Sequence, residues 1–193
     1  MTNDKKHRCE WSTINAHEIA YHDAEWGRPL HDDRALFELL LLEGMQAGLS
    51  WDTVLSKRDH FRQAFDHFDP QIIANYDQNK LNELLSNQNI IRNRLKIAAS
   101  VTNARAFLRV QEEFDSFDCY LWAFVDYIPI VNDIRSKEDI PVSTPLSERL
   151  SKDLKKRGFT FVGPVIIYAF MQACGMVDDH ENTCFCKTRP PKC

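Results

Sequence analysis

The chain has 193 residues, of which 44% are hydrophobic and 27% charged, so residues 1–193 can form one globular domain with a buried core. Its 24 lysines and arginines against 28 aspartates and glutamates give a net charge of -4, which argues against a protein that coats nucleic acid through bulk positive charge but not against a local basic face. No apolar stretch is long enough to span a membrane and the first residues lack the apolar core of a signal peptide, so we expect a cytoplasmic protein without membrane contacts.

The elements are expected to be helical throughout, because short alternating runs of β-branched residues between turns are scarce. This predicts an all-α fold, in which residues 126–146 form the one long irregular connection. The first long helix should be capped by Asp32 or Asp33. Further helices are predicted from Ser50 past Leu55, around Phe61 and Phe65 on a core face, from Pro70, over 80–86 and from Ile90 to about Val110.

A tight polar turn separates the last two of these helices. Asn87 or Asn89 is expected to end the first helix in the left-handed conformation that glycine usually takes. Backbone amides at a helix start bind phosphate, so the turn suits a DNA backbone without reading any base. A solvated basic helix face is the alternative. The neighbouring cations are Arg92, Arg94 and Lys96.

Six cysteines in a chain without a secretion signal favour metal ligands, core thiols or a redox site over a disulfide framework. Cys119 and Cys174 lie in apolar runs and are predicted to be core side chains. Two thiols and two imidazoles from opposite ends of the chain would make a tetrahedral zinc set. These are Cys9, His22, His180 and Cys184, and pairings through Cys186, Cys193, His7 or His17 remain open.

A lone carboxylate, Glu43, follows an apolar helix face and precedes two glycines and Trp51. Such a group is most often a capping or ion-pairing residue, and the alternative is a polar contact inside a pocket. Trp11, Tyr21 and Trp26 supply further flat rings from segments that could converge. Several rings around one carboxylate are what a nucleobase pocket requires.

Several motifs spread over nearly the whole chain point to one family. They are RCEW at 8–11, AYHDAEWG at 20–27, LEG at 42–44, GLSW at 48–51, LKKRGF at 154–159 and FMQACG at 170–175. In this order they closely resemble 3-methyladenine DNA glycosylase I, of the helix-hairpin-helix DNA glycosylase superfamily. The resemblance implies two helical lobes, a helix-hairpin-helix element at about 80–110, and an enzyme of base-excision repair.

The resemblance also implies one structural zinc ion that ties the two ends of the chain together. The zinc would stabilise a lobe formed by about residues 1–30 and 150–193 and take no part in catalysis. The family's ligands fall on Cys9, His22, His180 and Cys184.

The family's base pocket implies how a methylated base is recognised. Methylation at N3 places a positive charge on adenine and makes it a good leaving group, so a buried carboxylate can favour the cationic ring. The catalytic positions fall on Glu43 and Tyr21, and the base-binding positions on these two with Trp51 and, beside them, Trp11.

The family's DNA contacts fall on two loops. Gly48 and Leu49 lie on the loop expected to enter the gap left by an extruded nucleotide, and the hairpin falls on residues 87–94. Where the family hairpin normally offers glycine, this chain has Asn89.

The partner implied by the resemblance is double-stranded DNA that contains alkylated adenine, bound by a monomer. No lysine stands in a position identifiable as a Schiff-base nucleophile, which favours hydrolysis by water and an abasic product. One competing hypothesis is a zinc-stabilised module that binds damaged DNA without cleaving it. Another is a small-molecule redox enzyme that uses the thiols of Cys186 and Cys193.

Overall fold

Helices dominate the computed structural model, which describes residues 6–46 and 48–188; Cys193 lies outside this part of the chain. Single turns of 3-10 helix connect several of the helices. The helices are α1 (Ala16–Ala24), α2 (Asp33–Gln46), α3 (Trp51–Leu55), α4 (Arg58–Ala64), α5 (Pro70–Ile73), α6 (Gln78–Ser86), α7 (Arg94–Phe114), α8 (Phe117–Trp122), α9 (Pro145–Lys156) and α10 (Pro164–Ala173).

Two short strands correct the all-α prediction to a mostly helical fold. Strand β1 (Ile130–Val131) pairs in parallel with β2 (Val177–Asp178), with Ile130 opposite Val177. Apart from a 3-10 turn at Lys137–Asp139, the connection before α9 has no helical ladder for its backbone groups, and the pairing supplies partners for some of them. This ladder attaches the connection to the segment that follows α10.

Local capping signals confirm several predicted helix starts. The Asp32 carboxylate accepts the backbone N–H of Ala35 at 2.8 Å, which caps α2. The Ser50 hydroxyl accepts the N–H of Thr53 at 3.2 Å at the start of α3. Pro70 occupies the first turn of α5, where its missing N–H costs nothing.

The turn between α6 and α7 differs from the prediction. Asn87 has φ -73° and ψ 107°, and neither Asn87 nor Asn89 is among the described residues with positive φ. The Asn87 side chain instead accepts the N–H of Asn89 at 2.9 Å, so a side-chain turn replaces the left-handed residue. Helix α7 begins at Arg94, later than predicted, because the Asn93 side chain caps it.

The two cysteines predicted to be core side chains differ in burial. Cys174 is fully buried, as predicted, whereas Cys119 is exposed. Helix α8 turns Phe117 and Tyr120 inward, which leaves Cys119 between them on the outer face. The apolar run around Cys119 identified the helix and not the side of it that is buried.

Helix α2 occupies the centre of the hydrophobic core. It packs against α7, α8 and α10, and nearly all its side chains from Leu36 onward are buried. Phe61 and Phe65 of the neighbouring segment also belong to this core, as predicted. Because α2 and α10 lie side by side, a polar residue near the end of α2 is held between them. Within the described residues, no helix is long and apolar enough to cross a membrane.

Candidate active site and metal cluster

A cavity of about 390 Å³ opens between the end of α2 and one face of α10. It is lined by all four side chains that the sequence assigned to a base pocket, which come from four separate segments of the chain. These are Trp11, Tyr21, Glu43 and Trp51.

Glu43 is the one acidic side chain among the described residues that line this cavity. Only 4% of the residue is exposed, and its carboxyl group has no hydrogen bond or ion pair to any described residue. Burial raises the pKa of Glu43 to about 8. Leaving a buried carboxyl group unpaired is costly, so the site favours a ligand that brings a donor or a positive charge.

Tyr21 and Trp51 form an aromatic wall beside Glu43. Their ring centroids lie 5.5 Å apart with an interplanar angle of 56°. The Tyr21 hydroxyl and the Trp51 Nε1 are both buried and have no hydrogen-bond partner in the described part of the chain. Burial, and then the charge of Glu43, raises the pKa of Tyr21 well above its usual value, so its hydroxyl remains a donor. These two donors and the Glu43 carboxyl group therefore all lack partners among the described residues.

The sequence analysis missed other residues of the cavity wall. Gln46 is the last residue of α2, and Gln172 lies one turn after Ala169 on the partly exposed face of α10. Helical spacing along α10 could have identified Gln172 as the polar residue of an otherwise apolar helix. Residues 137–142 complete the wall, and nothing in their sequence indicates this position.

A cluster of four potential metal ligands lies next to the cavity. Each residue offers one ligand atom, and these atoms all lie within 4.8 Å of one another. Three of them belong to the predicted set, and the fourth was left open as an alternative. The four are His22, His180, Cys184 and Cys186.

Cys9, the remaining member of the predicted set, lies beside this cluster. It is buried, and its sulfur accepts the backbone N–H of Glu181 at 3.3 Å. A hydrogen bond from the Cys9 thiol to Cys184, together with the nearby His22, lowers the pKa of Cys184 to about 3. The same hydrogen bond, with burial, raises the pKa of Cys9. The Cys9 thiol and His22 therefore favour the thiolate form of Cys184, the form in which cysteine binds metals.

The two histidines of the cluster are oriented as metal ligands usually are. His180 Nδ1 lies 2.8 Å from an Asp178 carboxylate oxygen, while its Nε2 is buried without a partner among the described residues. His22 Nδ1 lies 2.9 Å from Asp23, and its Nε2 lies 3.3 Å from Cys184 Sγ. Carboxylates that fix one ring nitrogen leave the other free for a cation. The donor set and the orphaned Nε2 of His180 fit a metal ion.

Trp11 and Trp26 connect the metal cluster to the cavity. Trp11 packs edge-on to His22 at 5.7 Å, and Trp26 packs edge-on to His180 at 4.6 Å between ring centroids. Both tryptophans also line the cavity. The cluster therefore supports one wall of the cavity from behind.

Gly27 allows His180 to pack closely, and Gly27→Ala is expected to lower the free energy of unfolding by about 2 kcal/mol or more. Its φ is +72°, and an added Cβ would lie 2.5 Å from Cε1 of His180. Urea denaturation measures the loss. Gly163→Ala is the matched control, because Gly163 has φ -64° and open space around its Cβ. An equal loss in both variants would contradict this explanation.

The loop after α2 carries the residues expected to fill a gap in DNA. Gly48 has φ +84°, a conformation that favours glycine. The following Leu49 is 43% exposed, and its N–H donates to the carbonyl of Gln46 at 2.6 Å. An apolar side chain therefore stands exposed next to the end of α2, at the edge of the cavity.

The basic residues of the predicted hairpin separate into two groups. Arg92 and Arg94 are exposed and form no ion pair with any described residue. The Asn89 carbonyl accepts a hydrogen bond from the Lys57 ammonium at 3.2 Å. Lys96 does not fit the predicted DNA contact, because it is only 7% exposed and donates to the Met45 carbonyl at 2.9 Å. The packing of α7 against α2 turns Lys96 inward, where it satisfies a carbonyl at the end of α2.

Comparisons with known proteins agree with this geometry. Residues 11–187 match the Methyladenine glycosylase family. A DNA-3-methyladenine glycosylase of Haemophilus influenzae is 48% identical over 181 residues, covering 94% of this chain and 98% of the relative. A crystal structure of 3-methyladenine DNA glycosylase I is 50% identical with a TM-score of 0.91, over 94% of this chain and 100% of that chain. A variant of such an enzyme in complex with 3-methyladenine is 35% identical with a TM-score of 0.91, over 94% and 98% of the two chains. The chain belongs to the methyladenine glycosylase family.

Proposed function

We propose that the protein, a DNA-3-methyladenine glycosylase, binds alkylated double-stranded DNA as a monomer and receives the extruded base in the cavity between α2 and α10. It then hydrolyses the N-glycosidic bond and leaves an abasic site. One observation carries the proposal: in a member of this family, Glu43 is buried without a partner in an aromatic cavity. An extruded cationic purine matches both the rings and the charge of that cavity.

The proposed chemistry depends on the charge of the methylated base. When the glycosidic bond breaks, its electron pair goes to the base and cancels the positive charge, so the base needs no added proton. Water adds to C1′ of the oxocarbenium-like sugar and releases a proton. Glu43, ionised beside the cation, accepts a hydrogen bond from the exocyclic amine in a low dielectric. Neutral adenine lacks this charge interaction and is not favoured.

The aromatic residues would hold the base in place. Trp51 stacks on the electron-poor ring, where a cation over an aromatic face gains about 0.5–2 kcal/mol, and Trp11 lies beside it. Tyr21, with its unused hydroxyl, orients the base or the sugar edge. Tyr21 and Glu43 are thus the proposed catalytic pair, and all four side chains are the proposed base site.

DNA binding would use the two loops near the cavity. Gly48 lets the loop turn so that the exposed Leu49 fills the gap left by the flipped nucleotide, which offsets part of the cost of flipping. The proposed hairpin supplies phosphate contacts through amides near Asn89 and through exposed Arg92 and Arg94. Lys96 is left out of this surface because its ammonium is buried.

The metal cluster would hold one structural zinc ion. His22, His180 and Cys184 are three ligands of this proposed site, and the fourth is the thiolate of Cys9 or Cys186. When bound, zinc cross-links the segment before α2 to the segment after α10. Through Trp11 and Trp26 it stabilises the cavity wall and does not touch the base.

The experiment that tests the function is incubation with methylated duplex DNA, followed by chromatographic identification of each free base. We expect release of 3-methyladenine, little 7-methylguanine, and no strand cleavage. An enzyme-free control corrects for spontaneous loss of methylated bases. If folded, metal-loaded protein binds the DNA and releases no base, the protein is a damage-binding module and Glu43 has no catalytic role.

A further inference from the structure

We propose that Gln172 is a specificity-determining residue that presents a fixed carbonyl oxygen to the bound base. The cavity then accepts a purine with an amino group at position 6 and rejects one with an oxo group there. This inference rests on the proposed function and deepens it, because it concerns discrimination within the same site.

A buried carboxylate fixes the orientation of the Gln172 amide. Nε2 of Gln172 donates to Oδ2 of Asp179 at 2.8 Å, and Asp179 is fully buried. The Tyr168 hydroxyl donates to the same oxygen at 2.6 Å, and Nδ2 of Asn132 donates to Oδ1 at 2.7 Å. A carboxylate surrounded by donors acts only as an acceptor. Rotating the Gln172 amide by 180° would place its oxygen against Asp179, so the amide has one favourable orientation.

The oxygen of that amide is available to a ligand. Gln172 lines the cavity and is partly exposed. Its Oε1 accepts no hydrogen bond from any described residue and is not one of the fully buried atoms without a partner. One N–H of Nε2 is used by Asp179 and holds the amide in place, so Oε1 is the acceptor that Gln172 presents.

Gln46 shows what an amide without such support would do. It lines the same cavity from the end of α2, and its side chain has no hydrogen bond to the described residues. That amide can rotate and offer either its oxygen or its NH₂ group. Gln46 therefore adapts to either kind of base, whereas Gln172 does not.

Two acceptors in one pocket select for the hydrogen-bonding pattern of adenine. The 6-amino group carries two N–H donors, which can serve the Glu43 carboxylate and the Gln172 oxygen together. A 6-oxo purine presents an acceptor to both, so it leaves them unpaired and repels them. Sites built around buried polar groups reject analogues that leave those groups unpaired. Discrimination would thus extend to 3-methylguanine, which carries the same N3 methylation and positive charge as 3-methyladenine.

The test compares release of 3-methyladenine and 3-methylguanine from the same methylated duplex. Gln172→Met keeps the length of the side chain and removes the fixed oxygen. We expect release of 3-methyladenine to fall about ten-fold, the size of one lost hydrogen bond to a polar group, with release of 3-methylguanine unchanged or higher. The ratio of the two rates therefore falls at least about ten-fold. Gln172→Ala should lower the ratio as well, and because alanine is smaller than glutamine, a steric clash cannot explain that loss.

Two control variants separate specificity from structural support. Tyr168→Phe removes another donor to Asp179 at a position outside the cavity wall, and should lower the melting temperature with no change in the ratio. Gln46→Leu should change the ratio far less than Gln172→Met. If both folded Gln172 variants keep the wild-type ratio, or if Tyr168→Phe lowers it equally, the inference is wrong and the proposed function stands. If the wild-type protein releases neither base, the proposed function itself fails.

Discussion

Glu43→Gln is expected to lower the rate of 3-methyladenine release by about 100-fold or more, a typical cost of losing one electrostatic contact to a charged transition state. Glutamine keeps the shape and one acceptor oxygen of the side chain but loses the negative charge. Single-turnover release from methylated duplex DNA measures the effect. Affinity for undamaged duplex should change little, because Glu43 is only 4% exposed and lies in the cavity, which an undamaged duplex leaves empty.

Glu43→Gln is also expected to be more stable than the wild type, by a margin that grows as the pH rises. Burial raises the folded-state pKa of Glu43 from 4.5 to about 8, so between these values the folded state holds a proton that the unfolded state has lost. The free energy of unfolding therefore decreases as pH increases through this window, and the loss is complete above pH 8. Glutamine removes that dependence. In thermal melts, the melting temperature of the variant should rise relative to that of the wild type between pH 5 and pH 8.5.

The pH dependence of activity should follow the same group. The ionised form of Glu43 stabilises the cationic base, so kcat/KM should increase with pH and level off near pH 8 in the wild type. In Glu43→Gln this increase of kcat/KM with pH should be absent. Glu18→Gln is the matched control, because Glu18 is also a buried carboxylate but does not line the cavity. A wild-type rate in Glu43→Gln would exclude the catalytic role of this residue.

Local chemistry explains the parts of the fold that could be predicted from the sequence. Asp32 and Ser50 cap helices through their own backbone neighbours, so a short window of sequence identifies them. Glu43 can be identified as a candidate because burying a carboxylate in an apolar helix costs free energy unless a partner or a ligand compensates for it. Its convergence with Tyr21 and Trp51 rested on family motifs, since no local pattern brings separate segments together.

Long-range contacts explain the parts that could not be predicted. Lys96 belongs to a basic run, and only the packing of α7 against α2 turns its ammonium toward the Met45 carbonyl. The fixed amide of Gln172 depends on Asp179, which the chain reaches after the end of α10. Such partners are set by tertiary structure, and neither helical period nor residue type indicates them.

Cys184→Ala is expected to remove most of the bound zinc and to lower the free energy of unfolding by several kcal/mol, since binding to a structural site contributes directly to folding. Cys184 Sγ lies 3.3 Å from His22 Nε2 and accepts a hydrogen bond from Cys9, which places it in the middle of the candidate ligands. Metal analysis and urea denaturation measure the two effects. A chelator should lower the stability of the wild type toward that of the variant and leave the variant unchanged. Cys119→Ala, which removes an exposed thiol, is the control.

The fourth ligand of the proposed zinc site can be identified by two further variants. If Cys9 is the ligand, Cys9→Ala should lose metal and stability as Cys184→Ala does, while Cys186→Ala should keep about one equivalent. If Cys186 is the ligand, the outcomes reverse, in keeping with its place in the cluster of atoms within 4.8 Å of one another. A thiol loses its proton when it binds zinc, so the raised pKa values of free Cys9 and free Cys186 both cost binding energy that the metal must recover. A full metal complement in Cys184→Ala would rule out the whole ligand set.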